Sequence, residues 1–97
     1  MDCGAFTVWW MARASGADLP RACFVASTQA VGAAVLRNRA KRRMRETFRR
    51  HQNLLPATCD LLLVARSSVN QWPFSKVERA FAEACGRIGS NLSSRKP

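Results

Sequence analysis

The chain has 97 residues, enough for one domain with one two-layer core and too few for two. An apolar fraction of 47% is that of a globular chain and excludes wholesale disorder. Sixteen Lys and Arg against six Asp and Glu leave a formal net charge of +10, whose self-repulsion calls for a polyanionic partner. Nucleic acid is the first candidate and an anionic membrane surface the second.

Residues 6–13 open with Phe6-Thr7-Val8-Trp9-Trp10-Met11-Ala12, an aromatic and β-branched run that reads as a strand. Ser15 to Pro20 supplies turn residues, and residues 21–27 form a second short strand. A hairpin between the two is the cheapest connection. Helical periodicity spans residues 33–52, and Pro56 closes the loop that follows. The continuous apolar run of residues 60–66 is a strand buried on both faces or nearly so. Ser67 to Pro73 is a polar loop. Ser75-Lys76-Val77-Glu78 has the capping-box pattern, and Phe74, Val77, Phe81, Ala84, Cys85 and Ile88 recur at helical spacing, giving a helix over 75–88. Residues 1–88 are thus expected to be a single α+β domain, a two-layer sandwich with helices on a mainly antiparallel sheet, followed by a frayed tail over 89–97. Three visible strands is near the lower limit for an independently stable sheet.

Cys3, Cys23, Cys59 and Cys85 are spaced 20, 36 and 26 residues apart, without a CxxC pair or a neighbouring histidine. They read as small core or boundary side chains of a reduced, cytoplasmic protein. The Met1-Asp2 start carries an acid where a signal peptide carries bases, and Phe6 to Ala12 is too short to span a bilayer.

Arg37 to Arg50 carries eight of the sixteen basic residues in fourteen positions, with one acid. Stepping about 100° per residue, Leu36, Ala40, Met44, Thr47, Phe48 and His51 fall within an arc of roughly 120°. The remaining circumference is basic, with Arg37 near the edge of the apolar arc. Seven of the eight charges are arginine, which forks onto phosphates and stacks on bases. At about 1.5 Å per residue the helix spans several phosphates. Its apolar arc is too narrow and polar for a helix lying on a membrane.

The stretch from Ser27 to Arg50, above all Ala34-Val35-Leu36-Arg37-Asn38-Arg39-Ala40-Lys41-Arg42-Arg43-Met44-Arg45-Glu46, resembles the signature of the bacterial ribonuclease P protein component. The strands on either side agree, so that the resemblance covers about Phe6 to Ile88. Two features depart from the family pattern. Thr28 and Gln29 stand where the family has two lysines, and the family's N-terminal helix and first strand have no counterpart, leaving the expected sheet one strand short.

The resemblance implies an accessory subunit of an endoribonuclease whose catalytic centre lies in a large RNA. The protein would hold the catalytic RNA and the 5′ leader of precursor tRNA as a monomer in a 1:1 ribonucleoprotein, with Mg²⁺ bound mainly by the RNA. Arg37, Asn38, Arg39, Lys41, Arg42 and Arg45 are the implied RNA contacts, and Trp9 and Arg66 possible leader contacts. Since adjacent strand residues point to opposite faces, only one of Trp9 and Trp10 can face a leader, and a core role for either stays open. Trp72 reads as a packing lid on the last helix.

The residues themselves suit a non-catalytic role. Asp2, Asp18, Glu46, Asp60, Glu78 and Glu83 are scattered rather than clustered as a two-metal nuclease requires, and His51 lies on the apolar arc. The competing reading is a structural RNA-binding protein of ribosomal type. A DNA-binding module fits less well, because strands rather than a short helix and tight turn precede the basic helix.

Overall fold

The computed structural model describes residues 1–12, 19–55 and 59–93, with side chains as far as Ser90. The elements in chain order are β1 (Phe6–Ala12), β2 (Arg21–Val25), α1 (Thr28–Val31), α2 (Ala34–His51), β3 (Cys59–Ala65), α3 (Ser68–Gln71) and α4 (Phe74–Ser93), with a 3-10 turn at Gln52–Leu54. This is the expected α+β class: a three-stranded sheet carrying helices on one face. Arg13, most of the turn after β1, and Pro56 lie outside the described residues.

The sheet order is β1-β3-β2, so the expected β1–β2 hairpin does not form. Instead β3 lies between them, antiparallel to β1 from Phe6↔Ala65 to Ala12↔Cys59 and parallel to β2 from Arg21↔Asp60 to Val25↔Val64. The cause is the long helix between β2 and β3, which carries the chain back to start β3 beside β2 in the same direction. Only the most continuously apolar strand suits the centre. Cys59, Leu61, Leu63 and Ala65 are buried under the helices, while Asp60, Leu62 and Val64 on the other face are half-buried, so β3 is fully enclosed on one face only.

The core is an aromatic chain crossing the layers. Phe6 of β1 lies 6.1 Å from Phe81 of α4, Phe81 6.3 Å from Phe48 of α2, and Phe48 6.0 Å from Phe24 of β2. Each pair adds roughly 0.5–1.5 kcal/mol beyond the area it buries. Met44 and Ala40 complete the buried side of α2, and the hydroxyl of buried Thr47 donates to the Arg43 carbonyl at 2.8 Å.

Residues 1–3 turn back along β1. The Val8 amide donates to the Met1 carbonyl, the Met1 nitrogen to the Val8 carbonyl, and the Cys3 amide to the Phe6 carbonyl. Phe6 and Val8 are completely buried, whereas Trp9 and Met11 of the same strand are exposed. Gly4, at φ +84°, is required at this turn, since a Cβ there would meet the Trp72 ring at 2.4 Å. Trp72 therefore packs on the N-terminal turn as well as on α4.

Three helix boundaries differ from the sequence reading. The predicted polar loop holds the short helix α3. The capping box at Ser75 does not form: α4 starts one residue earlier, the Pro73 carbonyl accepts from the Lys76 and Val77 amides, and Glu78 is turned to α2 instead. At the other end α4 continues through Ser93, past the point where the tail was expected at Gly89.

Candidate nucleic-acid interface

Ser27 caps α1, accepting from the Ala30 amide at 3.1 Å, and Thr28 and Gln29 sit exposed in its first turn. Gly32, at φ +109°, makes the break between α1 and α2 that only glycine adopts readily. From there α2 lies across the sheet towards β2, with Ala40, Met44 and Thr47 inward. That orientation turns Asn38, Arg39, Arg42 and Arg45 to solvent, with Lys41 half-buried beside them. The Arg45 guanidinium lies 5.8 Å from the Phe24 ring centroid, at the β2 edge of the sheet.

The ion pairs sort the cations of α2. Arg49 and Arg50 both bond Glu46, and Arg50 also lies 3.6 Å from Glu78. Hydrogen bonds from Arg49 first, and then Arg50, hold the Glu46 carboxyl below its ordinary range. Among the described residues Arg39, Lys41, Arg42 and Arg45 have no such carboxylate partner. Arg37 differs from them: it is half-buried, with its Nε enclosed and unpartnered. Asn70 of α3 stands close by, its Nδ2 donating to the Leu36 carbonyl at 3.0 Å while its Oδ1 is likewise enclosed and unpartnered. Leu36 itself is 40% exposed, although the helical projection put it on the apolar arc.

Arg43 is the member that the sequence reading misplaced on the solvent surface. Its Nε donates to the Val69 carbonyl at 2.7 Å and its Nη2 to the Trp72 carbonyl at 2.6 Å, tying the end of α3 to α2. Burial, and then the neighbouring Arg39 charge, lower its pKa. Together with Arg50 it also borders the Phe74 ring, at 5.4 and 5.3 Å. The helical projection held the signal: Arg43 falls only about 20° outside the apolar arc, level with Leu36. His51 is half-buried on the arc as expected, its Nε2 3.0 Å from Glu78 and its ring 6.4 Å from Phe81.

The sheet face opposite the helices is open. Its three rows are Thr7–Val64–Val25, Trp9–Leu62–Cys23 and Met11–Asp60–Arg21. Strand alternation puts Trp9, 60% exposed, on this face, while Trp10 packs against the core. The face is apolar in the middle and closed at one end by the Arg21–Asp60 pair at 3.2 Å. Beyond the other end Arg66 pairs with Asp2 at 3.1 Å, so that candidate is partly neutralised. Trp9 and Arg66 thus belong to the sheet side of the molecule and the six candidates of α2 to the helical layer.

The sequence profile of the Ribonuclease P family matches residues 2–89. The chain belongs to the ribonuclease P protein family. It is 36% identical over 87 residues to the ribonuclease P protein component of Pseudomonas putida, covering 90% of this chain and 62% of that protein. The protein of Pseudomonas entomophila is also 36% identical, over 78 residues that cover 80% and 58% of the two chains. The chain therefore spans about three fifths of the length of these relatives. The solved ribonuclease P protein of Thermotoga maritima superposes with a TM-score of 0.77 at 25% identity, over 91% of this chain and 81% of that one. The Staphylococcus aureus protein gives 0.66 at 26%, over 87% and 73%.

Proposed function

We propose that this chain is the RNA-binding protein subunit of ribonuclease P, assisting removal of the 5′ leader from precursor tRNA by a catalytic RNA. The carrying observation is the sorted charge of α2. Its N-terminal half presents Asn38, Arg39, Arg42 and Arg45 without carboxylate partners among the described residues, on the segment that resembles the family signature. Arginines at one- to three-residue steps on a rigid helix suit the phosphates of a folded RNA, and the Asn38 amide adds a donor and an acceptor. The open sheet face suits a different ligand. An unstructured leader can stack a base on Trp9 over the apolar row of Leu62 and Cys23, with Arg66 available to a phosphate once Asp2 releases it.

In this reading the hydrolysis belongs to the RNA. In the same reading the Mg²⁺ the reaction needs is bound mainly by the RNA partner. The protein's contribution is positional and electrostatic: it neutralises phosphates that crowd when RNA and substrate meet, reducing the divalent-ion concentration needed. A monomer bound 1:1 to the RNA is the expected assembly.

The test is cleavage of a precursor tRNA by a bacterial ribonuclease P RNA at low Mg²⁺, with and without this protein. Stimulation by wild type, and no cleavage by protein alone, are expected. Trp9→Ala should reduce the preference for leader-bearing over leaderless tRNA by about 1–3 kcal/mol without unfolding the chain. Cleavage by the RNA-free protein would overturn the assignment of the chemistry.

A further inference from the structure

The proposed role of α2 leaves a second cationic surface unused, on α4. Helical spacing places Lys76, Arg79, Glu83, Gly86, Arg87 and Ser90 along one side of that helix, and all are exposed. Val77, Phe81, Ala84, Cys85 and Ile88 occupy the buried side, and Glu78 faces α2 through His51 and Arg50. The surface is therefore turned away from α2. Among the described residues its three cations have no carboxylate partner; the Lys76 ammonium lies 4.2 Å from the Trp72 ring centroid.

This side of the molecule is furrowed. Depressions of about 560, 190 and 250 Å³ follow the seam between α4 and the turn formed by residues 1–4, from Trp72 at one end to Ser90 at the other. Glu83 borders all three. From Lys76 to Ser90 the helix rises about 21 Å, long enough to follow several phosphates. Gly86 lies in the furrow wall, and a Cβ added there would meet nothing within 4 Å. Glycine is disfavoured inside a helix, and the chain's own packing does not call for it here. Its missing side chain leaves the helix backbone open to a partner's backbone.

We propose that this furrow is a second RNA-contacting surface, which takes the sugar-phosphate backbone of an RNA segment other than the one held by α2. The charge is complementary: three cations without a carboxylate partner among the described residues stand against Glu83, while Asp2, another carboxylate nearby, is engaged by Arg66. A protein or membrane partner fits worse, because no large hydrophobic side chain is exposed on α4 among the described residues to anchor either. With cations on two sides the subunit ties two RNA segments together instead of coating one. The inference rests on the reading of α2 as an RNA-binding helix.

The test compares wild type with Lys76→Ala/Arg79→Ala/Arg87→Ala and with Arg39→Ala/Arg42→Ala/Arg45→Ala. Each is titrated against a ribonuclease P RNA transcript over a series of salt concentrations, with hydroxyl-radical footprinting of the complexes. All six side chains are exposed and none belongs to the core, so circular dichroism should report native folding in both variants. The α4 variant should give a log K against log salt slope shallower by roughly 2 to 3 units and lose a protected RNA segment that the α2 variant keeps. Glu83→Gln should tighten binding by removing the carboxylate that borders the furrow. An α4 variant with wild-type slope and footprint would overturn the furrow alone and leave the α2 reading standing. Failure of the wild type to bind the transcript would overturn both.

Discussion

From Arg37 to Arg45, α2 carries six cations and no acid; from Glu46 to His51 it carries two arginines, a histidine and one carboxylate. In the first stretch Arg43 is consumed by the Val69 and Trp72 carbonyls, and the exposed arginines project without carboxylate partners among the described residues. In the second, Glu46 and Glu78 gather Arg49, Arg50 and His51 into a lattice that fastens α2 to α4. One helix thus divides its arginines between ligand and fold. The difference lies in where carboxylates and open carbonyls fall, which raw charge counts do not record.

The sharpest way to break this comparison is to neutralise each half separately. Arg39→Ala/Arg42→Ala/Arg45→Ala should weaken RNA binding by on the order of 3–6 kcal/mol, at about 1.5–3 kcal/mol per lost charge-assisted contact with some overlap between neighbours. Arg49→Ala/Arg50→Ala should cost far less binding, since those guanidinium groups already face Glu46. Equal losses in a filter-binding titration would show that the ion pairs do not sort the helix.

Arg43→Ala sharpens the contrast within the first half. It leaves two carbonyls at the end of α3 without their donors, at a cost of about 2–4 kcal/mol of stability. For a chain of this size the melting temperature should fall by roughly 10–25 °C, with the salt slope of RNA binding unchanged. Lysine at this position keeps the charge but cannot fork to both carbonyls, so it should restore only part of the loss. A change in salt slope without a change in melting temperature would move Arg43 from the fold to the ligand.

The smallest expected effect concerns pH. The folded state holds Glu46 below its ordinary pKa of 4.5, so its contribution is present above that value and is lost as pH falls through the lower, folded one. Below about pH 4.5 the stability of wild type should therefore approach that of Glu46→Gln, while above it wild type is slightly the more stable. The side chains are exposed, which keeps the difference small. Thermal melts of both proteins between pH 3 and 7 check it; parallel curves would show that Glu46 does not fasten α2.

Much of the architecture was legible in one dimension. The periodicity of α2 and α4 and the apolar run of β3 give the elements, because burying one stripe of a helix or a strand leaves its period in the sequence. The density of basic residues from Arg37 to Arg50 marked the candidate interface. The β1–β2 hairpin was misread because adjacency along the chain is a weak guide to pairing when a long helix separates the next strand. Arg43 was misread because its partners are backbone carbonyls 26 and 29 residues away, which no pattern of side chains announces.

The sequence by itself determined which residues are able to bind a polyanion, since charge and helical period are local properties. Only the tertiary structure decided which of them are at liberty to do so. Packing the helices on one face of the sheet left Trp9 on the open face and put Trp10 against the core. Docking α3 against α2 took Arg43 out of the basic surface, and packing α4 beside α2 brought Glu78 to Arg50 and His51. A charge is most available to a ligand where folding has given it no carboxylate or carbonyl partner, and partners distant in sequence meet only when the chain has closed.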